Sequence, residues 1–577
     1  MLLSKLFPKP IKQGKKYDSP NATYLINGGF IDQIMAGVYS FLPLGNRVLS
    51  KIENIVREEM NKIGQEVFLP SIVPTKIWED TKRIDSIDVL FQVTGANETS
   101  RKTNDATYIL NCTHEDVITP IAKKFNTSYK DFPFGLYQIQ TKFRNEPRAK
   151  SGLLRGREFR MKDLYSFHTS EDDLQKYYHE VVKPAYIETF RRLGLGESTV
   201  IALASGGDFT ENFSHEFQTL CESGEDTLFY SEKEYIYYNK EVAPSKAPKI
   251  DETDKEMKPM EDVEGRGIIG VDELAKYLKI PVEKTTKTLL YENEKGEIIA
   301  AVVRGGYDIN EDKLKKVSKS KKIKLTSAQT VKKATNAEVG YAGVLGLPKD
   351  VEIFWDDSTK DRLNFETGAN KTNYHTINVN FGRDIENPKD FCDIKVAKEG
   401  DLDPKTGKVY KIFYASEVGN IFPLNTKFSE ALDYYFTDEK GERKIVYMGS
   451  YGIGTSRAMG VIVEKFHDDR GIIWPAQVAP YLVHLIGLDL DNTEIKQKAT
   501  DLYDKLQDQG FEVLFDDREG VSPGAKFADA DLIGNPVRLV VSKRSGDKIE
   551  FKMRNEKKSE LLSYDEIIEK LIACQTK

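Results

Sequence analysis

A strand-rich pattern runs from the first residues to about Tyr230, breaks off, and returns after Gly400. A pattern that stops and resumes implies one discontinuous domain holding an insertion, and insertions succeed at exposed loop tips. The break opens with "EVAPSKAPKIDETDKEMKPMEDVEG", polar, proline-containing and charged, as a linker is expected to be. Inside it, "VDELAKYLKI" reads as a helix and "TTKTLLYENEKGEIIAAVVRG" as a hairpin, followed by a Lys-rich helix and the Gly-rich "VGYAGVLGLP". The expected organisation is residues 1–230 and 401–477 as two parts of one domain, 231–400 inserted between them, and 478–577 as a separate α/β unit. In that last unit, strands "YLVHLIGL", "FEVLFDD" and "VRLVVSK" alternate with helices, including "GAKFADADLIG". A chain of 577 residues accommodates this at roughly 100–200 residues per domain. The overall class is α/β in the broad sense, helices and strands mixed (α+β).

In the first part, "NRVLSKIENIVREEMNKIG" places Val48, Leu49, Ile52, Ile55, Val56, Met60 and Ile63 on one helical face. Gly64 stops that helix, and "QEVFLPSIVP" reads as a strand with Pro70 inside it, hence an edge strand or an interface. Between Tyr137 and Phe167, two alternating strands flank a loop crowded with lysine and arginine. The chain as a whole is acidic, with net charge −7 and pI about 5.8, so it is no general polyanion binder. Any nucleic-acid contact must come from local basic surface. Cys112, Cys221, Cys392 and Cys574 lie far apart without a CxxC pair, which argues for neither a disulfide framework nor a zinc site and fits a reducing cytoplasm. Lys5 and Pro8 interrupt the N-terminal apolar stretch before a signal core builds up, and no run approaches the ~20 apolar residues of a membrane span.

The basic loop has a bland reading, a solvated hairpin with cross-strand ion pairs. Its spacing argues for more: "FRNE" is followed by "RGREF", with Arg144, Glu146, Arg155 and Phe159 at fixed intervals. Arginine presents a planar fork suited to phosphate. This arrangement resembles the second signature motif of the class II aminoacyl-tRNA synthetases. The long helix leading into the Pro70 segment resembles their first motif, which forms a dimer interface. "GSYGIGTSR", Gly449 to Arg457, resembles their third. "NCTHEDVIT", "SHEFQTLCESGED", "SEVGNIFPLNTKFSEAL" and "DDREGVSPGAKFADADLIGNP" are similar to the bacterial-type prolyl-tRNA synthetases in particular, and the resemblance spans nearly the whole chain. The pairs His114-Glu115 and His215-Glu216 do not continue to the second histidine of a metalloprotease.

The resemblance implies an antiparallel-sheet catalytic domain, an inserted editing domain and a C-terminal anticodon-binding domain, acting as a homodimer. It implies activation of L-proline by ATP, with Mg²⁺ on the phosphates and no zinc, and transfer to tRNA(Pro). Arg144 and Arg457 would be catalytic, and Glu146, Arg155 and Phe159 would join them in holding ATP. Thr113, Glu115 and His215, with Arg144, would hold proline, and Arg148 would meet the tRNA acceptor stem. Without the resemblance, a cap threonine, a surface acid and a core histidine would be the better readings of the first three. Lys287, Gly340 and His375 match the editing region, which would hydrolyse mischarged Ala-tRNA(Pro). A pocket sized for proline rejects alanine only through lost contacts, roughly 1–3 kcal/mol, so a second site is expected. Asp516, Arg518 and Lys526 would read the anticodon.

The sequence departs from the family pattern at Asn420, Asn425 and in "GGDFTENF" before His215. A non-catalytic tRNA-binding relative would be expected to have lost one of Arg144, Arg155 and Arg457, and all are present. A threonine-specific enzyme would be expected to carry Cys/His zinc ligands, for which the lone Cys112 is insufficient.

Overall fold

The computed structural model describes residues 1–11, 14–207, 209–210 and 213–575. Part of the "GGDFTENF" departure, Asp208, Glu211 and Asn212, lies outside the described residues. Two compact units divide the chain: residues 1–201, 206–225 and 414–577 form one, and 202–205 with 226–413 form the other.

The first unit is built on a mostly antiparallel sheet. Its strands run in the order Ser214–Leu220, Lys411–Asn425, Tyr447–Ile453, Glu158–His168, Phe134–Phe143 and Gln65–Glu66, the last pairing parallel. The expected hairpin is its centre, in register from Phe134 opposite Phe167 to Phe143 opposite Glu158. Side chains alternate across a strand, and here both faces are covered. Tyr137, Ile139, Leu164 and Ile421 face a layer of helices that includes Pro43–Met60, Lys183–Arg192 and Thr455–Lys465. The expected face of Pro43–Met60 is the one buried there: Val48, Leu49, Ile52, Ile55, Val56 and Met60. Tyr165, Phe167 and Met448 point the other way, against helix Glu115–Phe125 and a small sheet of Ile72–Pro74, Tyr108–Leu110 and Phe91–Val93.

Pro70 belongs to no strand, which corrects the expectation of one continuous strand. Gln65–Glu66 and Ile72–Pro74 join different sheets, and Pro70 lies between them. Lacking an N–H, it contributes its carbonyl instead, accepting from Asn111 Nδ2 at 3.0 Å.

The C-terminal part of this unit carries its own sheet, ordered Val513–Asp516, Val483–Gly487, Val537–Val541, Ile549–Met553 and Glu560–Leu562. The first three strands are parallel and the rest antiparallel. Helix Thr493–Asp508 packs on it through Ile495, Ala499, Leu502 and Leu506. Leu514 and Ile533 reach beyond this sheet into the same core as Phe30, Ile472 and Trp474.

The second unit holds a four-stranded sheet ordered Ile323–Leu325, Thr286–Asn293, Ile298–Arg304 and Glu352–Trp355. The expected hairpin closes at Asn293, whose Oδ1 accepts from the backbone N–H groups of Lys295 and Glu297, each at 3.0 Å. A three-stranded sheet of Glu261–Glu264, Tyr374–Val379 and Phe365–Gly368 completes it. The end of the expected linker is therefore a strand, paired with Tyr374–Ile377.

Candidate active site

In the first unit, a cavity of about 200 Å³ opens where the central hairpin, the strand after Tyr447 and helix Glu115–Phe125 converge. Thr113, Glu115, Arg144, Phe159 and Arg457 all line it. Glu115 is the first residue of its helix and is 1% exposed. Thr113 donates its hydroxyl to one carboxylate oxygen, and Ser450 donates to the other at 2.8 Å. Arg83 Nη1 stands 3.6 Å from the first oxygen and also pairs with Asp116. The carboxylate is thus fixed from three elements, which positions it without a rotamer search when a ligand enters.

Arg144 lies one residue beyond its strand. Its guanidinium carbon is 5.1 Å from the centre of the Phe159 ring, and no acid among the described residues pairs with it. Its neighbours are more engaged. Arg155 Nη2 pairs with Glu146 at 2.7 Å and Nη1 lies 3.7 Å from Glu225. Arg144 and Glu146 both lie beyond the strand, which ends at Phe143. Arg155 likewise precedes the returning strand, which starts at Glu158. Arg148 is exposed on the loop between them, while Leu153 and Leu154 anchor that loop in the core.

Arg457 is in the first turn of helix Thr455–Lys465 and donates to the Glu417 carbonyl at 2.8 Å. Gly454 precedes the helix, and a Cβ there would crowd Arg457 Cβ at 3.2 Å. The helix N-terminus offers unpaired N–H groups and a positive dipole end on the same side, favourable to anions.

His215 is not among the residues that line this cavity. It pairs across the sheet with Ile421, which faces the helix layer. Tyr178 Oη is 2.8 Å from its Nδ1. Burial, then Lys183 and His179, push its pKa down to about 4. Residues that the sequence reading did not single out complete the wall: Asp163, Glu417, Ser450 and Phe209. Ser450 sits within the quoted "GSYGIGTSR", where strand alternation was the available signal. Asn420 also lines the cavity, with its Oδ1 buried and lacking a hydrogen-bond partner among the described residues.

The second unit has a larger cavity, about 660 Å³, lined by Lys287, Gly340, His375 and Glu366 among others. Lys287 Nζ is 2.5 Å from Asp308 Oδ1. Gly340 has φ +99°, a conformation closed to most side chains. His375 Nδ1 lies 2.9 Å from Glu366 Oε1 and Nε2 lies 3.0 Å from the Ile268 carbonyl. Burial alone would lower the His375 pKa, but the Glu366 carboxylate and the Ile268 carbonyl outweigh it and raise it.

In the C-terminal domain, Asp516, at the end of strand Val513–Asp516, is 0% exposed, and Lys526, on helix Pro523–Ile533, is 2% exposed. Arg518 pairs with Asp516 at 2.6 Å and with Asp529 at 2.8 Å, while Lys526 Nζ donates to the Gly487 carbonyl at 2.7 Å. Asp516 and Lys526, expected at the anticodon, are thus buried and already engaged within the domain. These residues face inward and hold the segment after Val513–Asp516 from behind.

Residues 97–466 match the family described as tRNA synthetase class II core domain (G, H, P, S and T). Residues 482–573 match the anticodon binding domain family. The chain is 42% identical to a proline–tRNA ligase of Persephonella marina over 98% of this chain and 99% of that protein. It is 41% identical to one of a Sulfurihydrogenibium species, over 99% of each chain. A Geobacillus proline–tRNA ligase is 40% identical over 94% of each chain. Among the described residues, no helix is long and apolar enough to cross a membrane.

Proposed function

The chain belongs to the proline–tRNA ligases, class II tRNA synthetases with an anticodon-binding domain, and from that premise we propose how its two cavities divide the work. The smaller cavity activates proline. The observation that carries this reading is that one cavity is lined by the Thr113–Glu115 pair and by Arg144, Phe159 and Arg457 together. Glu115 and Thr113 receive the ring ammonium of proline, which has two N–H donors. Arg144 holds the proline carboxylate against the α-phosphate, Phe159 stacks on adenine, and Arg457 lies toward the γ-phosphate. Glu146 and Arg155 complete the ATP site, and magnesium arrives with ATP as part of the substrate.

A proline carboxylate oxygen attacks the α-phosphorus, and the bond to the bridging oxygen of pyrophosphate breaks. The terminal ribose hydroxyl of tRNA(Pro) then attacks the prolyl carbonyl, and AMP departs with the bonding electrons. Charge grows on phosphate oxygens in the first step, where preorganised arginines lower the barrier most. Arg148 meets the acceptor stem from the exposed loop. The protein works as a cytoplasmic homodimer, for which the exposed Phe68 and Ile72 flanking Pro70 supply apolar surface.

The larger cavity removes errors. Residues 231–400 form the editing domain set between catalytic segments 1–230 and 401–477, with 478–577 binding the anticodon. Lys287, Gly340 and His375 line a space of about 660 Å³, which suits an aminoacyl ester with its terminal nucleoside better than a free amino acid. Water attacks the alanyl ester of Ala-tRNA(Pro), releasing alanine and free tRNA. Attachment of labelled proline to a tRNA(Pro) transcript tests the whole reading. Charging that requires both ATP and proline supports it, and charging with another amino acid in preference to proline overturns it.

A further inference from the structure

Beneath the Thr113–Glu115 turn lies a group of buried polar side chains with no part in the scheme above. Lys142, on strand Phe134–Phe143, and His114 are both 0% exposed. Asp163, on the neighbouring strand, is 4% exposed and borders the smaller cavity. Lys142 Nζ is 2.7 Å from Asp163 Oδ1 and 2.5 Å from His114 Nδ1.

An ammonium has donors only, so His114 Nδ1 accepts and the ring proton sits on Nε2. That nitrogen is 2.9 Å from the Pro70 carbonyl, which can only accept. Both ring contacts therefore select one tautomer. Asp163 Oδ2 accepts from Gln138 Nε2 at 2.9 Å and from the Tyr165 hydroxyl at 2.8 Å. The Tyr165 oxygen in turn accepts from the His114 backbone N–H at 3.0 Å. His114 is pinned at three points, and it is the residue between Thr113 and Glu115. Apolar packing commonly equals or exceeds a buried ion pair in stability, while such pairs can specify one geometry.

We propose that Lys142 is a positioning residue for the amino-acid pocket, fixing the Thr113–His114–Glu115 turn in place and holding the Asp163 carboxylate at the cavity wall. The proposal rests on the reading that proline's ammonium binds at Thr113 and Glu115.

The charged groups that act on the His114 ring are Lys142 and Asp163 from the hairpin, while the Tyr165 hydroxyl meets its backbone N–H. Burial first, and Lys142 second, push the ring's pKa down to about 4. Removing the ammonium leaves Asp163 as the dominant neighbour, which favours imidazolium. A protonated ring would draw its Nδ1 toward Asp163 Oδ2, 3.9 Å away, and pull the turn out of its position.

The test uses the full chain labelled with ¹⁵N-histidine, which has 7 histidines, His114 being assigned with a His114→Gln variant. In the unaltered protein the ring is expected to show neutral Nε2–H signals, constant from about pH 8 to about pH 5.5. Titration of that ring near its ordinary pKa of about 6.5 would overturn the proposal. Lys142→Met, and Lys142→Met combined with Asp163→Asn, are then compared in pyrophosphate exchange. Both are expected to raise the proline KM at least ~10-fold while the ATP KM moves less than ~2-fold. Only the single variant should worsen as the pH falls, because only it leaves Asp163 to recruit a proton onto His114. Equal changes for proline and ATP would show a merely structural lysine and overturn the proposal. If neither variant folds, the spectrum of the unaltered protein decides. If Glu115→Gln leaves the proline KM unchanged while the His114 signals stay as expected, the placement of proline is what fails.

Discussion

Ser450 donates its hydroxyl to Glu115 Oε1 at 2.8 Å, joining the glycine-rich strand before Arg457 to the turn that carries Thr113. Two segments separated by more than half the chain thus converge on one carboxylate. Glu115→Gln removes the negative charge offered to the proline ammonium. A hydrogen bond to a charged group contributes ~1.5–3 kcal/mol, so kcat/KM for proline should fall roughly 10- to 150-fold. Ser450→Ala, losing one of several donors to that carboxylate, should cost the low end of the same range, ~1.5 kcal/mol or roughly 10-fold. Steady-state pyrophosphate exchange at varied proline measures both, and equal effects on proline and ATP would argue against this placement.

His215 pairs with Ile421 on the helix side of the sheet, and its titration gives a signature. Its pKa is pushed from 6.5 to about 4 on folding. Protons then bind the unfolded chain preferentially, so the stability it contributes is present above pH ~6.5 and lost as the pH falls toward ~4. In His215→Gln the loss of Tm on acidification over that window should be smaller than in the parent. Its proline KM should stay within ~2-fold, the scale of substitutions away from the site. A large rise in proline KM would return His215 to the pocket.

The pair formed by Arg518 with Asp516 and Asp529 is largely enclosed, the arginine side chain being 11% exposed. Arg518→Ala takes the guanidinium from Asp529 and leaves Asp516 to Lys526 at 3.7 Å, a loss of about 3 kcal/mol by analogy with other buried pairs. Calorimetry should show the C-terminal sheet destabilised. Because Leu514 and Ile533 lie in the catalytic core cluster, removing the whole domain after Pro475 would strip core contacts as well. Point variants are the cleaner instrument.

Lys287→Ala should separate editing from synthesis. The partner Asp308 is 79% exposed, so little stability is at stake. Proline activation should be unchanged within ~2-fold, while hydrolysis of Ala-tRNA(Pro) is weakened or extended to Pro-tRNA(Pro). Unchanged rates on both esters would leave Lys287 a solvated lysine.

Much of this architecture was legible in residue order. The 3.6-residue spacing of Val48, Leu49, Ile52 and Val56 announced the long helix, and the alternation from Tyr137 to Phe167 announced the hairpin. The positions of Arg144, Phe159 and Arg457 on one cavity followed from their motifs. Sidedness was not legible. Where both faces of a sheet are covered, alternation says that His215 and Glu216 point apart but not which one faces the helices. The burial of Asp516 and Lys526 was not legible for a related reason, since a charged residue beside a turn looks exposed until its buried partner is known. Pro70 shows a third limit, because two short strands of different sheets read as one.

Proline-dependent ATP–pyrophosphate exchange, run with the full chain and each amino acid in turn, tests the central claim most directly. The account predicts robust exchange with proline, weak exchange with alanine, and for Arg144→Ala a loss exceeding about a hundredfold, ~3 kcal/mol, in a protein that remains folded. Exchange driven better by another amino acid, or near-normal exchange by folded Arg144→Ala, would contradict it.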